Sequence, residues 1–250
     1  MKKILCVVLI LFGVLILSAC SKQVENQDKI LKVGIEASYP PYEFMQDGKL
    51  SGFDVDVIQE LAKRANFKIE FINMSYDALI PALMGKKIDL IISSMGITPQ
   101  RAQNVDFSIS YFKDKNVYLK HKISNFSKKD DLKSKNICVL LGSIQENTAK
   151  QISNAIVVAN ESMLNCFLNL DAQKIDAVVT DKASAMNFLK QYPNIIAFYE
   201  EDDGSEGFGI AFRKNEFKDF ISKVNQHLEE MKKDGTLEKF LVQYNLKDQK

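Results

Sequence analysis

The stretch DLIISSMGITPQRAQNVDFS (Asp89–Ser108) carries the pattern that decides the fold of this chain. Its first residues form an unbroken apolar run, which is typical of a strand buried on both faces at the centre of a parallel sheet. Two serines and a glycine end the run, and Arg101 follows a few residues later. Because ligands bind beyond the carboxyl ends of strands in open α/β sheets, the stretch predicts both a strand and a binding edge.

The arginine at position 101 is an unusual choice for this chain. Only three of the 33 basic residues are arginines, and the other two are Arg64 and Arg213. A guanidinium is a planar donor that binds a carboxylate through two parallel hydrogen bonds. Arg101 is therefore a candidate for holding an anionic group.

Strand and helix patterns alternate along the rest of the chain. Before the central stretch come ILKVGIEAS, FDVDVIQELAKRAN, FKIEFINM and YDALIPALMGKK; after residue 135 come NICVLLGS, NTAKQIS, AIVVAN, SMLNCFLNLDAQK, IDAVVTD, KASAMNFLKQY and NIIAFYE. Such alternation implies right-handed βαβ units and open parallel sheets. We predict two α/β lobes, with the charged stretch Lys113–Lys135 between their central parts. A strand-like FGIAFRK (Phe208–Lys214) and two helical patterns close the chain, and the pattern does not assign them to a lobe.

The N-terminus has the features of an export signal. Two lysines precede an apolar run, Ile4–Leu17, as in secretory signal peptides. The ending LSAC resembles a bacterial lipobox, in which the cysteine is lipidated. We predict a lipoprotein signal peptide at residues 1–19, a polar tether at 20–28, and a periplasmic protein anchored to a membrane through Cys20. The alternative is plain cleavage, with Cys20 incidental.

The charge balance gives no sign of a nucleic-acid partner. Removing the leader takes away two lysines and no acid, so 33 basic residues become 31 against 32 acidic ones. A near-neutral surface of mixed charge lacks the basic face that nucleic-acid binding needs.

Two cysteines remain in the body of the chain. Cys138 falls in a strand pattern and Cys166 in a helix pattern. The oxidising compartment permits a disulfide, but sequence cannot supply the geometry that a bridge requires. The pattern favours two buried free thiols over a bridge.

Small or charged residues follow three predicted strands. They are Ser93, Ser94 and Gly96; Gly142 and Ser143; and Asp181. Loops of small residues present free N–H groups that bind anions. Together with Arg101 and the opposite charge of Asp181, they would suit the two charged groups of a free amino acid. The alternatives are an ordinary surface ion pair for Arg101 and a helix N-cap for Asp181.

Several stretches together closely resemble one known family. They are ILKVGIEASYPPYEF, GKLSGFDVDVIQELAKR, YDALIPALMGKKIDLIISSMGITPQRAQNVDFS, LLGSIQENTAK and KIDAVVTDKASA. Their order and spacing are similar to those of the polar-amino-acid-binding proteins of bacterial ABC importers, solute-binding protein family 3, from about Leu31 to Tyr244.

The resemblance implies a two-lobed periplasmic-binding-protein fold, with two open, mostly parallel sheets joined by a two-segment hinge. Lobe 1 would comprise residues 29–113 and 206–250, and lobe 2 residues 114–205. Closure of the lobes on a free L-amino acid would be the signal to the permease in the inner membrane. We expect a monomer.

The resemblance also implies roles for residues at the main-chain end of the ligand. Arg101 would bind the α-carboxylate, together with the backbone N–H groups of Gly96 and Ile144. Asp181 would bind the α-ammonium, assisted by the carbonyl of Ser94.

At the side-chain end, Tyr39 and Tyr76 would pack on either side of the ligand, and Ser93 and Glu36 would face its far end. A carboxylate between two tyrosines favours a cationic side chain, because the aromatic faces add cation–π attraction. Arginine is the first expectation, followed by lysine or histidine; a neutral polar amino acid such as glutamine is the alternative.

One position departs from the family pattern. Gly96 stands where many members have a serine or threonine, whose hydroxyl also accepts a hydrogen bond from the ammonium. That contact is lost here unless another group supplies it. A charge-assisted hydrogen bond of this kind contributes about 1.5–3 kcal/mol.

Other classes of function have less support in the sequence. A dehydratase-type enzyme on the same fold would need an acid–base pair, yet the only histidines, His121 and His227, do not neighbour the predicted cleft. No metal-ligand cluster, nucleophile elbow or phosphate-binding loop is visible in the sequence. We therefore expect neither catalysis nor a cofactor. A sensor, an adhesion module or a structural lipoprotein is a further alternative.

Overall fold

The structure is a computed structural model that describes residues 30–247. The predicted signal peptide, tether and lipidated Cys20 lie outside the described residues. None of the helices within the described range is long and apolar enough to cross a membrane.

The chain up to the first crossing between the sheets contains seven strands and three α-helices. They are β1 (Ile30–Ile35), β2 (Ser38–Tyr39), β3 (Glu43–Gln46), β4 (Lys49–Ser51), α1 (Phe53–Ala65), β5 (Lys68–Asn73), α2 (Leu79–Met84), β6 (Leu90–Ile91), α3 (Pro99–Ala102) and β7 (Val105–Phe107). The next elements are β8 (Lys115–His121), β9 (Asn136–Leu140), α4 (Ile144–Lys150), β10 (Ile156–Asn160), α5 (Met163–Asp171), β11 (Ala177–Asp181), α6 (Lys182–Leu189) and β12 (Ile195–Asp202). The chain ends with β13 (Ala211–Arg213), α7 (Lys218–Lys233) and α8 (Thr236–Gln243).

Two open five-stranded sheets form the body of the protein. The first has the order β5-β1-β6-β13-β7 and the second β10-β9-β11-β8-β12. In each sheet one strand, β13 or β8, runs antiparallel to both of its neighbours, while the remaining pairs are parallel. The predicted fold class of two open, mostly parallel sheets is confirmed.

The second sheet contains a strand that sequence analysis missed. The sequence analysis assigned no element to the charged stretch Lys113–Lys135 between the central parts of the lobes, but its first part forms β8, and residues 116–119 are buried. Lysines at both ends conceal this short apolar centre in the sequence. The ammonium of Lys120 leaves the core and donates to the carbonyl oxygens of Ser124, at 2.9 Å, and Phe126.

The chain passes between the sheets twice, from β7 to β8 and from β12 to β13. The predicted lobe boundaries fall within these two connections. The connections lie side by side, because the N–H of Phe208 donates to the carbonyl of Phe112 at 2.7 Å. FGIAFRK, which the pattern left unassigned, places β13 in the first sheet.

A small sheet of β2, β3 and β4 stands where the sequence indicated only a loop and a turn. It leads directly into α1 through Gly52, whose φ is 132°. A Cβ atom at this position would overlap the backbone carbonyl of Tyr42. Only glycine therefore allows α1 to start so close to the small sheet.

Cys138 and Cys166 form a disulfide, so the interpretation as free thiols was wrong. Helix α5 packs on β9 and brings the two Cα atoms to 5.5 Å, which lies within the range that a bridge requires. Sequence patterns predicted the strand and the helix but not how they face each other.

We expect the disulfide to stabilise the second sheet and its helices. It closes a loop across a sequence separation of 28 residues, for which loss of unfolded-state entropy contributes about 3–4 kcal/mol. Urea unfolding should shift to lower urea when a reductant is added. The variant C138A/C166A serves as the control and should not respond to the reductant; an equal response in both proteins would contradict the bridge.

Candidate ligand-binding cleft

A cleft lies between the two sheets, at the carboxyl ends of β6, β9 and β11, with about 290 Å³ of atom-free space that is partly open to solvent. Its lining includes six of the nine residues predicted from the sequence: Tyr39, Tyr76, Ser94, Gly96, Ile144 and Asp181. Arg101 lies at the outer mouth, in a region that shares Ile144 with the inner cleft. The two other predicted residues, Glu36 and Ser93, lie outside this lining.

Asp181 is a buried carboxyl group held from both lobes. Its Oδ2 atom accepts a hydrogen bond of 2.8 Å from the hydroxyl of Tyr39, and its Oδ1 atom accepts one of 2.9 Å from the amide of Gln145. Asp181 occupies the N-cap position of α6, as the alternative supposed, but its side chain makes no capping hydrogen bond. Burial and then the nearby Asp114 raise the pKa of Asp181 well above its usual range.

Arg101 reaches from the first lobe to the second. Its backbone N–H donates to the hydroxyl of Thr98, which begins the short α3. Its guanidinium donates to the carbonyl oxygens of Gly96, at 2.9 Å, and Gly142, at 3.1 Å, and lies 5.6 Å from the ring centroid of Tyr76. Within residues 30–247 the guanidinium makes no ion pair, so the alternative of a surface ion pair fails.

Glu36 and Ser93 lie beside the cleft and bond to the protein itself. The Ser93 hydroxyl accepts from the N–H of Glu36 at 3.1 Å and donates to Glu43 at 2.9 Å. The Glu36 carboxyl accepts a hydrogen bond from Ser38, and burial raises its pKa. The contact of Glu36 and Ser93 with a ligand side chain therefore stays a prediction.

Two buried carboxyl groups, those of Glu43 and Asp54, accept hydrogen bonds from the serines that follow β6. Oδ2 of Asp54 accepts from the N–H of Ser94 at 2.6 Å and from the hydroxyl of Tyr111 at 2.9 Å. Ser94 has the left-handed φ of 42°, which is rare for a residue other than glycine. The hydrogen bond from the N–H of Ser94 to Asp54 thus stabilises the conformation that orients the Ser94 carbonyl.

The remaining oxygens of this pair, Oε2 of Glu43 and Oδ1 of Asp54, receive no hydrogen bond from an N–H or hydroxyl donor. A proton shared between the two carboxyls would satisfy both, and each group is close enough to change the pKa of the other. Burial raises the pKa of Asp54 to about 6 and that of Glu43 well above its usual range. Asp54 lies in the first turn of α1, and the sequence analysis gave neither Asp54 nor Glu43 a role at the binding site.

The cleft contains two further polar residues that sequence analysis missed, Gln145 and Asp203. Gln145 follows Ile144 on α4 and links Asp181 to Asn116, whose side-chain oxygen accepts at 3.0 Å. Asp203 lies on the connection from β12 to β13, which carries no strand or helix pattern. No periodicity in the sequence could have placed either side chain in the cleft.

We expect the shared proton to make stability depend on pH. A folded-state pKa of about 6 for Asp54, against the ordinary value of 3.8, means that this contribution is present below pH 4 and is lost as the pH rises through 6. Asp54→Asn keeps an acceptor for Ser94 and a donor for Glu43 without titrating. Between pH 4 and 7 the wild type should lose about 2–3 kcal/mol more unfolding free energy than this variant. Urea unfolding at several pH values measures the difference, and parallel pH profiles for the two proteins would contradict the shared proton.

Comparison with known proteins identifies the family of this chain. The family model for bacterial extracellular solute-binding proteins, family 3, matches residues 31–247. The chain is 43% identical over 255 residues to a probable histidine-binding protein of Campylobacter jejuni, covering 98% of this chain and 100% of that protein. It is 34% identical over 220 residues to the arginine-binding extracellular protein ArtP of Bacillus subtilis, covering 86% of each.

Solved structures show the same fold. An ancestral arginine-binding protein bound to arginine has a TM-score of 0.82 and 38% sequence identity, covering 86% of this chain and 97% of that chain. The same class of ancestral protein bound to glutamine also has a TM-score of 0.82. The predicted periplasmic-binding-protein fold is confirmed, and the chain belongs to the bacterial extracellular solute-binding proteins of family 3.

Proposed function

We propose that this protein is the substrate-binding component of an amino-acid ABC importer and that its ligand is a free, cationic L-amino acid. The observation that carries the proposal is the charge of the cleft. One guanidinium, Arg101, lies at its mouth, whereas six buried acidic residues lie in or directly beside it. They are Glu36, Glu43, Asp54, Asp114, Asp181 and Asp203.

The main-chain end of the ligand would lie between Arg101 and Asp181. In the structure the guanidinium donates to two neutral carbonyls, and a ligand carboxylate would form stronger, charge-assisted bonds with the same donors. The N–H groups of Gly96 and Ile144 would add to this. The ligand ammonium would give Asp181 the counter-charge that its burial demands.

The side-chain end would extend between Tyr39 and Tyr76 toward Glu36. A cationic side chain gains from the aromatic faces and from the surrounding carboxyls. Relatives named for histidine and arginine support this choice. Because an ancestral arginine-binding protein has also been solved with glutamine bound, a neutral polar amino acid is the second candidate for the same site.

Closure of the two lobes is the step that would report binding to the permease. Several hydrogen bonds already cross the cleft, among them those from Tyr39 to Asp181 and from Arg101 to the carbonyl of Gly142. A ligand that bridges the same groups would favour the closed state by its differential affinity for it. A lipid on Cys20 would keep the protein close to the membrane that contains the permease.

We further propose that the protein releases its ligand unchanged. His121 lies in β8 and His227 lies in α7 beside Glu230, at 2.8 Å, and neither lines the cleft. The hydrogen bonds of Asp181 to Tyr39 and Gln145 fix it as a binding group. The family consists of solute-binding proteins, which supports binding without chemistry.

The ligand should be identified by a thermal-shift screen of the twenty amino acids, using protein that has been unfolded and refolded. A ligand at about 1,000 times its Kd adds about 4 kcal/mol to stability, so arginine, lysine or histidine should raise the Tm clearly. Arg101→Ala should abolish the shift at the same ligand concentration. A shift with acidic amino acids alone would contradict the cationic pocket, and no shift with any amino acid would contradict the proposed function.

Binding should release protons at acidic pH. The pKa of Asp181 is raised in the ligand-free protein, and an ammonium beside it would favour the ionised form and lower that pKa. The affinity should therefore rise with pH above the ordinary aspartate pKa of about 3.9. Calorimetry at pH 5 in buffers of different ionisation enthalpy measures the released protons. Asp181→Asn is the matched variant without this titration, and a binding enthalpy independent of the buffer would contradict the role of Asp181.

A further inference from the structure

Asp203 is a buried carboxyl group that bridges the two parts of the cleft. It is 5% exposed and lies on the connection from β12 to β13, the second crossing between the sheets. It lines the inner cleft together with Asp181 and the outer mouth together with Arg101. Of the cleft's acidic residues, Asp203 alone lines both regions.

The carboxyl of Asp203 has hydrogen bonds but no ion-pair partner within residues 30–247, although the charge of Lys113 acts on it from a distance. Its two oxygens accept from the N–H of Ser205, at 2.9 Å, and from the hydroxyl of Ser205, at 2.8 Å. No lysine or arginine of the described chain forms an ion pair with it. A buried carboxylate is costly unless a positive charge lies nearby, so the site is prepared for a cation from outside the protein.

Ser205 also occupies the space next to Gly96. A Cβ atom at Gly96 would overlap the Cδ1 methyl of Ile144 and would lie 3.2 Å from Cβ and 3.3 Å from Oγ of Ser205. A serine or threonine hydroxyl at position 96 would therefore compete for space with the pair formed by Ser205 and Ile144. Gly96 itself carries no hydroxyl, but the hydroxyl of Ser205 lies beside it and already donates to the carboxyl of Asp203.

The position of Asp203 indicates which end of the ligand it would contact. The α-carboxylate and α-ammonium of an amino acid are attached to the same carbon atom, so a ligand held by Arg101 and Asp181 has its ammonium between them. Asp203 shares one region of the cleft with each of these residues. Glu36, by contrast, lies outside the lining, beside Ser93.

We propose that Asp203 is a second anionic contact for the α-ammonium of the ligand and that it replaces the hydroxyl missing at Gly96. Ser205 is its positioning residue, since it donates two hydrogen bonds to the carboxyl while accepting one of 3.0 Å from the N–H of Gly207. The inference rests on the proposed function, because it assumes a free amino acid in this cleft. One of the residues that contact the ammonium would thus lie on the connection from β12 to β13, between the lobes.

The test is calorimetric titration of wild type and Asp203→Asn with L-arginine, or with whichever amino acid binds the wild type most tightly. Asparagine keeps an acceptor for the N–H of Ser205 but removes the charge. The affinity should fall about 10- to 100-fold, as for loss of a charge-assisted hydrogen bond. The matched control is Asp202→Asn, which removes the same charge from the neighbouring exposed residue, paired at the surface with Lys113, and should leave the affinity unchanged.

A second ligand decides which group Asp203 contacts. The deamino analogue of arginine, 5-guanidinopentanoate, lacks the α-ammonium and should bind Asp203→Asn at least as well as it binds the wild type. Equal losses for both ligands would place Asp203 at the side-chain end and overturn the proposal. If Asp203→Asn does not fold, as judged by circular dichroism, the smaller Asp203→Ser takes its place with the same expectations.

The two proposals fail in different ways. If the wild type binds an amino acid and Asp203→Asn binds it equally well, the ammonium contact is wrong and the proposed function stands. If the wild type binds none of the twenty amino acids, both the proposed function and the ammonium contact of Asp203 are wrong.

Discussion

The carboxyl group of Asp181 lies buried where the two lobes meet, held by the hydroxyl of Tyr39 from one side and the amide of Gln145 from the other. Removing such a group from water costs several kcal/mol unless hydrogen bonds and a positive charge compensate. The hydrogen bonds are supplied by both lobes, so the carboxyl is fully held only when the lobes are together. Under the proposed function a ligand cation would supply the charge, which would make binding and closure parts of one equilibrium.

The small sheet of β2–β4 and helix α1 hold the carboxyl end of β6 in place beside the cleft. The small sheet of β2–β4 carries Glu43 to the carboxyl end of β6, and α1 presents Asp54 to the N–H of Ser94. These buried carboxyls bond to the loop that follows β6 and not to solvent. The loop can therefore keep the left-handed conformation of Ser94, whose cost the surrounding contacts outweigh.

The negative character of the cleft arises from residues that are far apart in the chain. Glu36 and Asp54 belong to the first sheet's side, Asp114 and Asp203 to the two connections, and Asp181 to the second sheet. Tyrosine hydroxyls satisfy several of them, including Tyr42 on Asp114 and Tyr111 on Asp54. Neutral donors of this kind stabilise the buried acids without adding a positive charge to the cleft, and under the proposed function the ligand would add it.

Sequence patterns predicted those features that depend on local order. The unbroken apolar run before Ser93 indicated a central strand, the alternation of elements indicated two open sheets, and the motif around Arg101 placed it at a strand end. The strand β8 escaped detection because lysines at its ends conceal four buried residues. The three-stranded hairpin region was missed because its strands are only two to four residues long.

The sequence by itself thus determined the fold class and the family and nominated Arg101 and Asp181 as a ligand clamp, because hydrophobic periodicity and strand-end motifs are properties of consecutive residues. The disulfide, the pairing of the Glu43 and Asp54 carboxyls, and the place of Asp203 in the cleft were decided only by the tertiary structure. Each of these depends on the distance between side chains from separate elements, and that distance is set by how helices and connections pack against the sheets. Burial then changes the pKa values of the carboxyls, which no local pattern records.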